Sequence, residues 1–361
     1  MFNKRIKLLF TVALVLGFGV STFNSALAET ISKIDHNGTA VELPEEINRI
    51  ATLWPVLTGI IISLDQGADR LVAMPPQIKK SYKKGIMFEV FPGLKKIAAK
   101  EVINNKRQAN TEELLKLDPD VVFQSADKNK SIEALRAAGL TVFGLKYTKN
   151  NLERILLTDV GAVIGREDRA REILSMLKQD FEEISAKTSG IGRKDRPTVV
   201  YIWGKNKMVG AKHHVIPVLQ AAGATNGVSM GKSFIGYDPE KLLKLDPDFI
   251  FLHNVIEKKI PADFYNDPVY AGMKAVKNRT IYKVPKGGAA NWDGPSAERG
   301  LALGWFTRII NGNDFLDGSL RAKIKEVFPK LYGKDVTDAL INRMLSAAAN
   351  KDSAGYDEII Q

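Results

Sequence analysis

The heptapeptide LLKLDPD occurs at Leu114–Asp120 and again, letter for letter, at Leu242–Asp248. Each copy has a glutamate two places upstream, Glu112 in TEELLKLDPD and Glu240 in PEKLLKLDPD. Each also runs into a short apolar stretch, VVFQ at Val121–Gln124 and FIFLH at Phe249–His253. Leu114, Leu115 and Leu117 are expected to form the buried face of a helix. Asp118-Pro119 stops that helix, because proline lacks an N–H and disfavours α geometry in the residue before it. Asp120 then leads into a strand of continuous apolar character, as in a sheet covered on both faces. The second copy repeats helix, stop and strand. The unit is therefore used once in each of two similarly built halves.

Other short apolar runs extend this plan. RIATL (Arg49–Leu53), LVAM (Leu71–Met74) and TVFGL (Thr141–Leu145) read as strands of the first half, and TVVYIW (Thr198–Trp203) and TIYKVP (Thr280–Pro285) of the second. Helical patterns separate them, for example SIEALRAAG (Ser131–Gly139) and VIPVLQAAG (Val215–Gly223), and such alternation implies parallel sheets. ISKIDHNGTAVELP alternates and breaks at Asn37-Gly38, which predicts a β-hairpin closed by a two-residue type I′ turn. From Asn151 to about Thr188 the apolar residues fall at spacings of three and four, with a break at Gly161 and Gly165 and a new start near Glu167. The helices ERGLALGWFTRII (Glu298–Ile310) and SLRAKIKEVF (Ser319–Phe328) close the chain. The expected fold is α/β: two Rossmann-like lobes with parallel sheets, joined by a long α-helix, with a ligand cleft between them. The expected divisions are an N-terminal lobe over 29–165, the inter-lobe helix over 166–190 and a C-terminal lobe over 191–361.

Residues 1–28 read as a cleaved signal peptide. Lys4, Arg5 and Lys7 precede an apolar stretch of 13 residues, Leu8–Val20, and Ala26-Leu27-Ala28 supplies the small-x-small cleavage pattern. A membrane anchor would need roughly 20 apolar residues. Cleavage leaves 333 of the 361 residues, and the formal charge falls from +11 to +8 as those three cations leave. That length accommodates about two domains at roughly 150 residues each. The chain contains no cysteine, which excludes disulfides, thiolate metal sites, thiol catalysis and lipid attachment to a cysteine. Its positive charges are interspersed rather than clustered, a pattern that favours anionic ligands over nucleic acid.

In open parallel sheets, ligands bind outside the carboxyl ends of the strands. Trp54, Met74 and Gln77 follow the first strands; Trp203, Lys205, Met208, His213 and His214 follow the strand that opens the second half. His253, Lys286 and Trp292 follow later ones. Trp54, Trp203 and Trp292 would either line a cleft with amphipathic rings or fill the core between the lobes. Trp305, inside an apolar helix, is expected in the core. His213 or His253 would complete the coordination of a chelated metal, or else serve as a solvated or capping imidazole. Carboxylates at metal-ligand spacing do not accompany them. No dinucleotide fingerprint, phosphate loop, nucleophile elbow or zinc-protease motif is present. Glu112 and Glu240 lie in the first turns of their helices, where an acid suits the dipole. Their equivalent placement also suits docking to a symmetric, arginine-bearing partner.

In the order of its motifs, the chain resembles the helix-linked substrate-binding proteins of ABC importers for ferric siderophores, haem and cobalamin. The resemblance is carried by DHNGTAVELPEEINRIATL, by the two LLKLDPD units with their glutamates, by VLQAAGATN, and by WDGPSAERGLALGW. It implies a cleft-bound ligand, small lobe movements, and pairing of Glu112 and Glu240 with arginines on the two permease subunits. Arg107 is the nearest arginine to the first-lobe strand exits, where an anionic chelate would lie. A ferric-siderophore-type chelate ranks first as ligand, cobalamin or haem next, and nickel or another metal chelate third. A free periplasmic monomer without covalent cofactor is the expected form. An exported α/β enzyme using the same cleft is the reading from a different class.

Overall fold

The computed structural model describes residues 30–103, 108–146, 152–204, 206–254, 259–292 and 294–361. The signal-peptide segment, Arg107 and Lys205 lie outside the described residues. Strands β1 (Thr30–Ile34) and β2 (Ala40–Pro44) form the expected hairpin. Its turn differs from the type I′ expectation: Ile34 pairs with Ala40, so Asp35–Thr39 forms the connection, with positive φ at Gly38 and not at Asn37. The buried Asp35 carboxylate explains the longer loop. It accepts the Asn37 and Thr39 amides at 2.9 and 3.0 Å, the Gly144 amide at 3.1 Å and Arg136 Nη2 at 2.6 Å. The loop is thereby fastened to the first sheet.

Burial raises the pKa of Asp35, but these donors outweigh it and hold the group below the usual carboxylate range. A depressed folded pKa contributes stability that is full above the unfolded value, about 3.9, and is lost as pH falls through the folded one. Asp35→Asn is therefore expected to lower stability by roughly 1–3 kcal/mol at pH 7 and by less in acid. Urea titrations of both proteins at pH 7 and pH 3 check this; an equal loss at both would remove the ionic contribution.

The first sheet has order β4-β3-β5-β6 and is wholly parallel, with β3 (Ile50–Thr52), β4 (Leu71–Ala73), β5 (Val121–Ser125) and β6 (Val142–Leu145). The second is built on the parallel strands β7 (Thr198–Gly204), β11 (Phe249–Leu252) and β12 (Ile281–Lys283), with β9 (Thr225–Asn226) beside β7. An antiparallel extension, β8 (Lys207–Val209) and β10 (Phe234–Gly236), widens it beyond the all-parallel expectation. Successive strand residues point to opposite faces, and both faces are covered. Val121 and Phe123 enter the main core while Val122 enters an outer cluster; Val199 and Tyr201 enter the main core while Val200 and Ile202 enter another.

A helix at Glu167–Ser189 runs in sequence between the two sheets. The helix Arg299–Asn311 packs along it, and the missing Cβ of Gly300 gives the Asp180 carboxylate room to approach. Asp180 also pairs with Lys323, 3.2 Å away on the helix Leu320–Tyr332. That last helix packs against Pro55–Asp65 from the first half, so the closing helices serve both halves. The largest of the three apolar clusters among the described residues accordingly takes residues from both halves and contains Leu57, Ile61, Trp305, Phe328 and Leu331.

The repeated heptapeptide folds alike in both places. Its helices are Thr111–Lys116, capped by Asn110 accepting from the Glu113 amide, and Pro239–Leu245, capped by Asp238 accepting from the Lys241 amide. Both stop at an aspartate with positive φ, +43° at Asp118 and +35° at Asp246, followed by a buried proline. The final aspartates then bind the start of each lobe's central strand. Asp120 accepts the Asn48 and Arg49 amides at 2.6 and 2.7 Å, and Asp248 accepts the Thr198 amide and hydroxyl, each at 2.8 Å. Leu114 and Leu242 are fully buried, as expected. Leu115 is not: it is 45% exposed, and its counterpart Leu243 is 37% exposed.

Candidate functional site

The residues expected at the strand exits separate into distinct groups. A cavity of about 1060 Å³ opens where β3, β4 and β5 end. Trp54 and Gln77 line it together with Gln108, Gln124, Ser125 and Asn129. Trp54 immediately precedes the Pro55–Asp65 helix, and Gln77 sits in the first turn of the helix Pro76–Lys84. Lys128 and Lys130 give the cavity two exposed cations against one carboxylate, Asp127. The wall is thus rich in amides and hydroxyls, with positive charge at its edge. Residues of the stretch Gln124–Ser131 line the cavity because they follow the strand read from VVFQ, whose exit the same rule places at the site.

The second lobe gathers an aromatic and imidazole cluster at the ends of β7 and β11. The Trp203 indole stacks on His253 with 3.9 Å between ring centroids and 23° between planes. His213 meets Trp203 edge-on at 5.0 Å, and His213 and His214 lie 4.0 Å apart. Phe234, from the antiparallel strand β10, joins at 5.3 Å from Trp203 and 4.9 Å from His213. It is a residue that local sequence could not bring here, because β10 reaches the site only through its pairing with β8. His213 Nδ1 accepts the Val215 amide at 3.3 Å, which leaves its proton on Nε2 in the neutral ring. That arrangement suits a capping imidazole. Coordination through Nε2 would need that proton removed or the Nδ1 contact broken, and both His213 and His253 are buried. Among the described residues, no group of three or more histidines and carboxylates is arranged to hold a metal ion.

Lys286 belongs elsewhere. It lines a smaller cavity of about 440 Å³ with Lys84, Lys283, Arg343 and Asn254. Three further expectations are corrected by burial. Met74, Met208 and Trp292 are fully buried, Met74 and Trp292 in the main core and Met208 in the cluster behind the second sheet. For Met74 the reason is its place just past β4, where its amide donates to Ala98 O at 2.9 Å and its side chain turns inward. Met208, on β8, pairs with Ile202 of β7 and Ile235 of β10, and the adjacent Lys207 points to the opposite, exposed face.

Trp292 is buried for a different reason, and it exposes the most consequential residue that sequence reading passed over. Glu298 is completely buried. Its carboxylate receives the Gly288 amide at 2.9 Å, the Ala289 amide at 2.8 Å, Trp292 Nε1 at 2.7 Å and the Tyr332 hydroxyl at 2.5 Å. The Gly287–Trp292 loop is wrapped around this one group, and Gly287, at φ +67°, lies where a Cβ would collide with the carboxylate. Tyr82, from the helix carrying Gln77, donates to Ala289 O at 2.9 Å. The loop is thus a strut between the halves rather than a cleft wall. Burial drives the Glu298 pKa up, and its four donors only partly offset that.

A family model described as periplasmic binding protein matches residues 50–287. The chain is 24% identical over 271 residues to the iron-uptake system-binding protein of Bacillus subtilis (strain 168), covering 72% of this chain and 81% of that one. It is 21% identical over 183 residues to the Fe(3+)-citrate-binding protein YfmC of the same organism, covering 50% and 58%. Among solved structures, a periplasmic solute binding protein from Veillonella parvula DSM 2008 superposes with a TM-score of 0.81 at 27% identity, covering 90% of this chain and 99% of that one. With the family model spanning more than half of its length, the chain belongs to the periplasmic binding proteins, which capture solutes rather than transform them.

Proposed function

We propose that the protein captures a hydrophilic, anionic ferric chelate of the siderophore type in the periplasm and hands it to the transmembrane subunits of an ABC importer. The observation that carries this reading is the cavity at the β3, β4 and β5 exits. Its volume of about 1060 Å³ suits a metal chelate, and its Gln, Ser and Asn lining with Lys128 and Lys130 suits oxygen-rich, negatively charged ligand atoms. The similarity to iron-uptake and ferric-citrate-binding proteins supports the same class. Trp203 and Phe234 supply an apolar contact from the second lobe. Glu112 and Glu240 act as the docking carboxylates, one per lobe. The mature protein works as a monomer after removal of residues 1–28. Among the described residues, no helix is long and apolar enough to cross a membrane.

Native mass spectrometry of protein purified from the periplasm, followed by titration with ferric citrate, a ferric tricatecholate, haem and cobalamin, tests this. Saturable quenching of tryptophan emission by one of the ferric chelates is expected. Tight binding of haem or cobalamin instead would replace the iron-chelate reading, and binding of none would remove it. Trp203→Ala is expected to weaken the bound chelate about tenfold, or ~1.4 kcal/mol, through loss of aromatic contact. An unchanged Kd would take the second-lobe cluster out of the site.

A further inference from the structure

Leu115 and Leu243 are, among the described residues, the only leucines that stand exposed. They occupy the same position of the repeated heptapeptide, one in each lobe. Each lies three residues beyond a proposed docking glutamate, Glu112 or Glu240, and residues three apart share one face of a helix. Glu112 is itself 78% exposed at its side chain, and Glu240 is exposed. The leucine beside each, Leu114 or Leu242, is buried and already anchors the helix to its own lobe. Helix anchoring therefore does not account for the second leucine. Exposed single apolar residues are ordinary; the same leucine exposed at matched points of two lobes, each time beside an acid, is not.

We infer that Leu115 and Leu243 are paired apolar anchors for the two transmembrane subunits of the importer, each entering an apolar recess beside the cation that meets its glutamate. This rests on the docking role proposed above for Glu112 and Glu240. The duplication selects the occupant: two identical or homologous surfaces are needed to use the same leucine–glutamate pair twice, and a paired permease presents them. The second-lobe patch is the larger, since Val269, 53% exposed, stands on the turn Pro268–Tyr270 that packs against the Pro239–Leu245 helix. A carboxylate beside an exposed aliphatic group also disfavours docking to lipid headgroups, which are neutral or anionic.

The test places the photoreactive residue benzoylphenylalanine at position 115, 243, 112 or 240 of the full chain, with Ile34, exposed on the hairpin, as control position. After irradiation of living cells, adducts are identified by mass spectrometry. Positions 115 and 243 are expected to give adducts with membrane-embedded importer subunits, and position 34 is expected to give none. Leu115→Ser combined with Leu243→Ser is expected to lower the adduct yield from position 112 about tenfold, through loss of apolar contact. Adducts from 112 and 240 but not from 115 and 243 would overturn the anchor inference and leave the docking proposal standing. Adducts from none of the four would overturn both. Adducts with a second copy of this chain, or equal yield from position 34, would also overturn the inference.

Discussion

Glu298→Ala is expected to lower the free energy of unfolding by roughly 3–5 kcal/mol, because several buried donors lose their acceptor at about 1–3 kcal/mol each before relaxation. The fully buried carboxylate holds two backbone amides, an indole and a phenol, and alanine would leave all four donors facing a cavity. For a chain of this size the fall in Tm is on the order of 5–10 °C. Glu298→Gln separates volume from charge, because one amide NH₂ must then face a donor; its cost should be smaller, about 2 kcal/mol. A pH dependence follows from the raised pKa. An acid whose folded pKa lies above its unfolded one contributes stability that is present below the unfolded value and lost as pH rises through the folded one. The gap between wild type and Glu298→Ala should therefore be widest in mild acid and narrow towards neutrality, opposite to Asp35→Asn. Chemical denaturation across pH 4–8 measures it. A gap that widens with pH would show that the four donors outweigh burial.

Much of the frame was legible in the sequence because its signals are local. A Pro stop, a run of apolar residues and a spacing of three and four each act within a few positions, so strands such as Thr198–Gly204 and the helix Glu167–Ser189 follow from them. The hairpin was legible too, but its turn was not. Asp35 draws on Arg136 and Gly144, about a hundred residues away, and its demand for amide donors overrides the Asn-Gly preference. The same limit applies to the site. Trp54 and Gln77 lie at strand exits and line the cavity, whereas Met74, at the exit of β4, turns into the core. Trp292 also follows a strand, yet it is drawn inward by Glu298, a partner that no spacing rule connects to it. Phe234 enters through an antiparallel strand, where the exit rule has no force. Leu115 looked like part of an apolar helix face; only the depth of its own helix in the lobe shows which leucine is covered.

Glu112→Ala combined with Glu240→Ala should abolish ferric-chelate uptake into cells while leaving the Kd for the same chelate within about twofold of wild type. The expectation depends on where the two side chains point. Thr111 lines the cavity, but successive residues of a helix are turned by about 100°, and the Glu112 side chain stands out in solvent. In the free protein Glu112 pairs with Lys116 at 2.8 Å, and that lysine first by hydrogen bonding and then by its charge holds the carboxylate pKa down. The pair is solvent-exposed and easily screened, so a permease arginine able to bind both oxygens can displace Lys116 at little cost. Lys244 stands at the same spacing from Glu240. Lys116→Ala should accordingly leave uptake intact or raise it, whereas Glu112→Arg should block it even with Glu240 in place, since like charges would then meet across the contact. Single alanine variants should each retain partial uptake, because one lobe can still engage. Uptake by the double variant at the wild-type rate would place the docking surface elsewhere, and a parallel loss of chelate affinity would move these carboxylates into the cleft.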